Sequence, residues 1–148
     1  MQQLQDIAVR VEAMESAELN HSNALPIMHE ILHALQRFRK EDKGATIDLQ
    51  SIPFGPGDEE ELLHLLGRGE VSIALQSLGE SSIWETAYPG VWLIDHQNAE
   101  GERIALQIEI NRVPEIVPSQ TEDISDAITR LSMQLSPNAA ESRQREEK

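Results

Sequence analysis

The chain has 148 residues, the size of one ordinary domain, with a net charge of −14, 39% hydrophobic residues and only 3% aromatic residues. Such acidity argues against nucleic acid, whose phosphates need clustered Lys and Arg, and against an anionic membrane. It favours solubility and steering toward a basic partner surface. With no cysteine, disulfides, thiolate metal sites and cysteine nucleophiles are excluded.

Residues 1–20 read as an amphipathic N-terminal helix, with Leu4, Ile7, Val11 and Met14 forming a narrow apolar stripe over 3–19. The stripe suits docking on its own domain, on a second copy or on a client protein. This stretch has no basic region followed by an apolar one, so no secretory signal is read there. The longest apolar runs, such as Val91–Ile94, are too short to cross a bilayer. Together these features predict a cytoplasmic protein without membrane insertion.

A second helix is predicted over 23–41, with Asn23 as N-cap, Pro26 in the first turn, and Met28, Ile31, Leu32, Leu35 and Phe38 on one apolar face. Gly44 ends it. Residues 45–50 read as a short strand carrying Ile47 and Leu49. After the Pro- and Gly-rich loop Ile52–Gly57, Asp58 with Glu61 three residues on forms a capping box for a helix over 58–67. The middle of the chain alternates like strands: Val71–Gln76, Ser82–Ala87, Val91–His96 and Ile104–Ile110, with a hairpin turn at Asn98–Gly101. Pro114 and Pro118 stop the sheet. Ile124, Ile128, Leu131 and Leu135 place a last helix within 119–136, and the polar residues 137–148 read as a disordered tail. The predicted fold class is α+β: an antiparallel sheet of four to five strands, covered by two main helices, in a domain spanning 21–118.

Three groups could carry chemistry. His29-Glu30-Ile31-Leu32-His33 spells H-E-x-x-H on a helix, where two His one turn apart can ligate zinc and the Glu can act as general base. A third ligand from Glu59, Glu60, Glu61 or His64 is conceivable. However, Gln36 and Arg39 stand where the longer zinc-protease motif would continue, and both His fall on the polar flank with Gln36, Arg37 and Lys40. The motif therefore reads as a solvated or partner-facing helix flank, and no metal, cofactor or catalytic residue is assigned. Gly55-Pro56-Gly57-Asp58 precedes a helix and is a loop candidate for anion binding, but the following Glu residues oppose phosphate, so it reads as a tight turn feeding a capped helix. Trp84, Glu85, Tyr88, Pro89, Gly90 and Trp92 concentrate both tryptophans and the single tyrosine in nine residues. The two Trp suit core packing, whereas Tyr88-Pro89-Gly90 at a turn suits a partner surface.

The same segments carry a family resemblance. Asn23-Ala-Leu-Pro-Ile-Met-His-Glu-Ile, Ile52-Pro-Phe-Gly-Pro-Gly-Asp58, Leu65-Leu-Gly-Arg-Gly-Glu-Val-Ser72 and Glu85-Thr-Ala-Tyr-Pro-Gly-Val-Trp92 resemble successive blocks of the HupH family of [NiFe]-hydrogenase expression proteins. Asn98-Ala-Glu-Gly-Glu-Arg103 and Glu109-Ile-Asn-Arg-Val-Pro114 continue them in order over about 22–118. The resemblance implies a maturation accessory protein or chaperone, not an enzyme. Its implied partners are the iron–sulfur small subunit of the hydrogenase or other maturation factors. Family members typically carry two regions of this kind where one is seen here, so a homodimer is expected to supply the second. A small metal-dependent hydrolase using His29, Glu30 and His33, and a generic dimeric interaction module, are the alternatives.

Overall fold

The computed structural model describes residues 23–77 and 79–146. The chain divides into two compact units, one ending at Pro114 and one beginning at Glu115, rather than at 118 as the prolines suggested. The helix expected over 1–20 lies outside the described residues.

The first unit runs α1 (Ala24–Glu41), β1 (Ala45–Asp48), one 3-10 turn (Leu49–Ser51), α2 (Asp58–Leu66), β2 (Ser72–Gln76), β3 (Glu80–Glu85), β4 (Val91–Gln97) and β5 (Arg103–Ile110). The strands form one antiparallel sheet in the order β1-β5-β4-β3-β2. Strands β2 to β5 make the expected meander. β1 joins it from outside, pairing Ala45 with Ile110 and Ile47 with Ile108. This α+β architecture is the predicted class.

Alternation decides which side chains meet the helices. Val91 and Leu93 of β4, Leu106, Ile108 and Ile110 of β5, and Ile47 of β1 share one face. They form a single core with Leu49, with Ala24, Ile27, Ile31 and Ala34 of α1, and with Leu62 and Leu66 of α2. The row of α1 that meets this core differs from the expected apolar face. Ala24 and Ala34 join Ile27 and Ile31 on the buried side, whereas Leu32 is 48% exposed. Small alanines allow close packing, and the larger Met28, Leu32 and Leu35 are turned to one flank.

Two capping expectations are corrected. Asp58 is the first residue of α2, and its N-cap is Gly57, at φ 83°. The Asp58 carboxylate instead accepts from the Gly55 N–H and from the Asn23 side-chain amide, each at 2.7 Å. Asn23 holds the N-cap position of α1 as expected, but its side-chain amide goes to Asp58 and makes no cap bond to the helix. α1 ends at Asp42, in the left-handed region at φ 57°, before Gly44 is reached. Asp tolerates that conformation better than most residues.

The second unit holds α3 (Thr121–Gln134) and α4 (Pro137–Glu146). α3 lies where the periodicity put it, and none of its residues is buried. α4 occupies the stretch read as a disordered tail. Pro137 suits a first helical turn, and the Glu, Arg and Gln residues that follow are good helix formers, so a helix forms without an apolar anchor.

Candidate functional site

The aromatic cluster splits into separate roles. Trp92 is 4% exposed and its indole N–H donates to the Asn111 carbonyl at 3.1 Å, which makes it a packed, satisfied core residue. Trp84 pairs with Leu93 across β3 and β4 and is half-buried against the core. The Arg68 guanidinium lies 4.3 Å from the centre of its ring, a cation–π contact. Trp92 is thus core, whereas Trp84 keeps a partly exposed ring. Tyr88 is 47% exposed, and Pro89 beside it is exposed as well.

The turn that presents Tyr88 is pinned from several sides. The buried Thr86 hydroxyl accepts from the Tyr88 N–H and lies equally close, at 3.2 Å, to the Tyr88 carbonyl. That carbonyl also accepts from the Val91 N–H at 3.0 Å. Gly90 sits at φ 88°, where a side chain would be strained, and its N–H points to the Glu85 carboxylate at 3.4 Å. The Asn111 N–H donates to the Gly90 carbonyl at 3.0 Å. Glu85 and Gly90 therefore help to shape the turn.

Tyr88 faces the flank of α1 that the core leaves over. With Leu25, Met28, Ile31, Leu32 and Leu35 it lines an open, almost wholly apolar groove of about 260 Å³, with His29 at its rim. The α1 residues of this groove were read from the sequence as core or passed over. Their one signal was an apolar stripe wider than a single contact face requires.

The other sequence candidates lie elsewhere. His29, Glu30 and His33 are exposed on α1, in a cleft shared with Arg37 and with Ala45, Thr46 and Ile47 of β1. Among the described residues no three His, Asp or Glu side chains are grouped to hold a metal ion. Gly55, Pro56 and Gly57 form a shallow depression with Phe54, Glu59 and Glu60, and Asp58 follows them as the first residue of α2. The Gly55 and Asp58 N–H groups there have internal acceptors, and the four acidic side chains Asp58–Glu61 of the first turn oppose an anion. The Asn23 amide, and then the Gly55 N–H, hold the Asp58 carboxyl below the usual carboxylate range.

One ionic cluster escaped the sequence reading. Arg103 grips the buried Asp95 carboxylate through Nε and Nη2, at 3.2 and 3.1 Å, and reaches Glu59 of α2 through Nη1 at 2.8 Å. The hydrogen bond to Asp95 is the main reason the guanidinium is pushed above its usual value. The cluster ties the start of α2 to the β4–β5 hairpin and is structural.

The solved structure of hydrogenase expression protein HupH from Thiobacillus denitrificans is 42% identical, with a TM-score of 0.74 over 76% of this chain and 94% of that one. The hydrogenase expression/formation protein HoxQ of Azotobacter vinelandii is 31% identical over 111 residues, 74% of this chain and 39% of that protein. The hydrogenase-1 operon protein HyaF of Escherichia coli is 30% identical over 110 residues, 74% of this chain and 38% of that protein. The chain thus spans about two fifths of the length of the curated relatives it matches. Residues 21–136 match the family model described as the C-terminal conserved region of HupH hydrogenase expression protein, and the chain belongs to that family.

Proposed function

We propose that this chain acts in [NiFe]-hydrogenase maturation as a non-enzymatic accessory protein, holding an apolar segment of the iron–sulfur small subunit in the groove between α1 and Tyr88. The observation that carries the reading is that groove: a rigidly held tyrosine opposite Leu25, Met28, Leu32 and Leu35, in a chain of net charge −14. The names of the relatives, hydrogenase expression and formation proteins, supply the biological setting. A maturation factor acting in the cytoplasm on a subunit still awaiting its clusters needs an apolar anchor within a highly soluble frame. A buried aromatic anchor commonly contributes about 2 kcal/mol or more at an interface centre, whereas rim charges contribute little.

The test compares Tyr88→Ala with Glu60→Lys on α2, titrating each full chain with hydrogenase small subunit. Tyr88→Ala is expected to weaken binding at least tenfold, by about 1.4 kcal/mol, with the melting temperature within a few degrees of the parent. A larger loss from Glu60→Lys would place the partner surface on α2 and reject the groove. The stripe Leu4, Ile7, Val11 and Met14 is also suited to pairing with a second copy. Light scattering at tens of micromolar is expected to give a dimer mass, and a monomer mass would reject that part of the reading.

A further inference from the structure

Both faces of the sheet are apolar, and α1 and α2 account for one of them. On the opposite face, the register sets Ile73 of β2, Ile83 of β3 and Ile94 of β4 in one row, with Trp92 of β4 in the next row. Leu75 of β2 shares that face with Ile73. β4 begins Val91-Trp92-Leu93-Ile94, a continuous apolar run of the kind found in strands covered on both sides. Ile83 and Ile94 are each 1% exposed, yet neither belongs to the core that α1 and α2 form with Leu93 and Ile108. Trp92 meets the Asn111 carbonyl at one end of the face. Among the described residues of the first unit, no helix joins Ile83 and Ile94 in a core.

We infer that this second face is the seat of the chain's own N-terminal stripe, Leu4, Ile7, Val11 and Met14, laid on the sheet as a helix. The other apolar stripes of the chain are already placed. That of α1 divides between the first core and the Tyr88 groove, and α3 has no buried residue. The segment that precedes α1 carries the stripe that is left. Charge agrees with the seating. The face carries the carboxylates of Glu85 and the buried Glu109, in register with Trp92. Arg10, the single Lys or Arg of residues 1–20, lies on one flank of the stripe, while Asp6 and Glu12 fall on its far side at about 100° per residue.

The fit does not depend on the direction in which the helix crosses. From Leu4 to Met14 a helix runs about 15 Å. The face measures about 14 Å across the strand spacings from β2 to β5, and about 13 Å along β3 from Ser81 to Glu85. The connection Glu15–Asn23 extends to about 30 Å. That exceeds the roughly 20 Å of two packed layers between α1 on one side of the sheet and a helix on the other. Seated within one copy, the segment completes a monomer. Exchanged between two copies, it makes the dimer expected above. The seating is therefore independent of the particle's mass, and it leaves the Tyr88 groove open to a client.

The chain has no cysteine, so introduced pairs of thiols report the seat without background. Ala8→Cys, beside the stripe, is combined either with Ile73→Cys, half-buried on the second face, or with Leu32→Cys in the Tyr88 groove. Each double variant of the full chain is treated with a short bismaleimide, and the cross-links are mapped by mass spectrometry after proteolysis. The Ala8–Ile73 pair is expected to link at least about tenfold faster than the Ala8–Leu32 pair, because seating raises the local concentration of one thiol near the other. Val11→Asp, which sets a charge within the stripe, should remove that preference and lower the melting temperature. A link within one chain and a link between two chains both support the seating, and light scattering decides the dimer separately. Faster linkage to Leu32 would assign the stripe to the groove and overturn the inference. Equal rates, no linkage of either pair, or a preference unchanged by Val11→Asp would overturn it as well.

Discussion

Asp58 and Arg103 show how two charged side chains do different work. Asp58 closes the loop Gly55–Gly57 and links it to Asn23, 35 positions earlier in sequence. Because its carboxyl is held below the unfolded value of about 3.9, the stabilisation from this link is complete above that pH and is lost as pH falls through the folded value. Asp58→Ala is therefore expected to lower the melting temperature at neutral pH, with the difference from the parent closing below about pH 4; thermal scans across pH 2 to 7 check it. Arg103 works against a buried partner instead. Removing it leaves Asp95, whose side chain is only 12% exposed, without its cation. Arg103→Ala is expected to cost about 2 kcal/mol in urea unfolding, below the value for a fully buried pair because the guanidinium itself is partly solvated. Glu59→Ala, at an exposed carboxylate, should cost under about 1 kcal/mol.

At the scale of single elements, α1 divides its labour between adjacent residues. Ile31 is 3% exposed within the core, whereas Leu32 stands in the groove. Ile31→Ala is expected to cost about 3 kcal/mol of unfolding free energy, and Leu32→Ala about 0.5 kcal/mol, with the second change weakening small-subunit binding. Equal costs would mean that the groove is ordinary core. The contrast also marks where the sequence was legible. Alternation along Ile104–Ile110 identified β5 and the buried Leu106, Ile108 and Ile110, although Ile104 at the strand's start is 61% exposed and Glu109 on the other face is buried. A period of 3.6 with apolar residues on two adjacent rows identified α1 but could not say which row met the sheet. The choice fell to Ala24 and Ala34, whose small size carries no periodic signal. The Tyr88–Gly90 turn was legible as an aromatic presented to solvent. Its groove was not, because the opposing wall lies more than fifty residues earlier in the chain. Asp58 was misread for a similar reason: its partners, Gly55 and Asn23, are set by the folded loop and by a distant helix start.

Across the whole molecule, stability is distributed unevenly. The first unit has a continuous core; its central strand β4 is paired on both sides along most of its length, and β5 along its second half. Local opening there requires breaking the sheet, so their amides should exchange only through global unfolding. The second unit contains α3, with no buried residue, and α4, which is polar along its length. Helices of 14 and 10 residues are marginal in water when isolated, since the cost of nucleation is offset by few hydrogen bonds. Native-state hydrogen exchange of the free chain is therefore expected to show α3 amides exchanging at least about a hundredfold faster than those of β4 and β5. The stripe Ile124, Ile128, Leu131 and Leu135 is what gives this measurement its interest. If these residues remain exposed in solution, exchange follows the intrinsic helix–coil balance and is insensitive to Ile128→Ala beyond about tenfold. Protection of α3 equal to that of β5, lost on Ile128→Asp, would mean instead that a partner or a second copy covers the stripe.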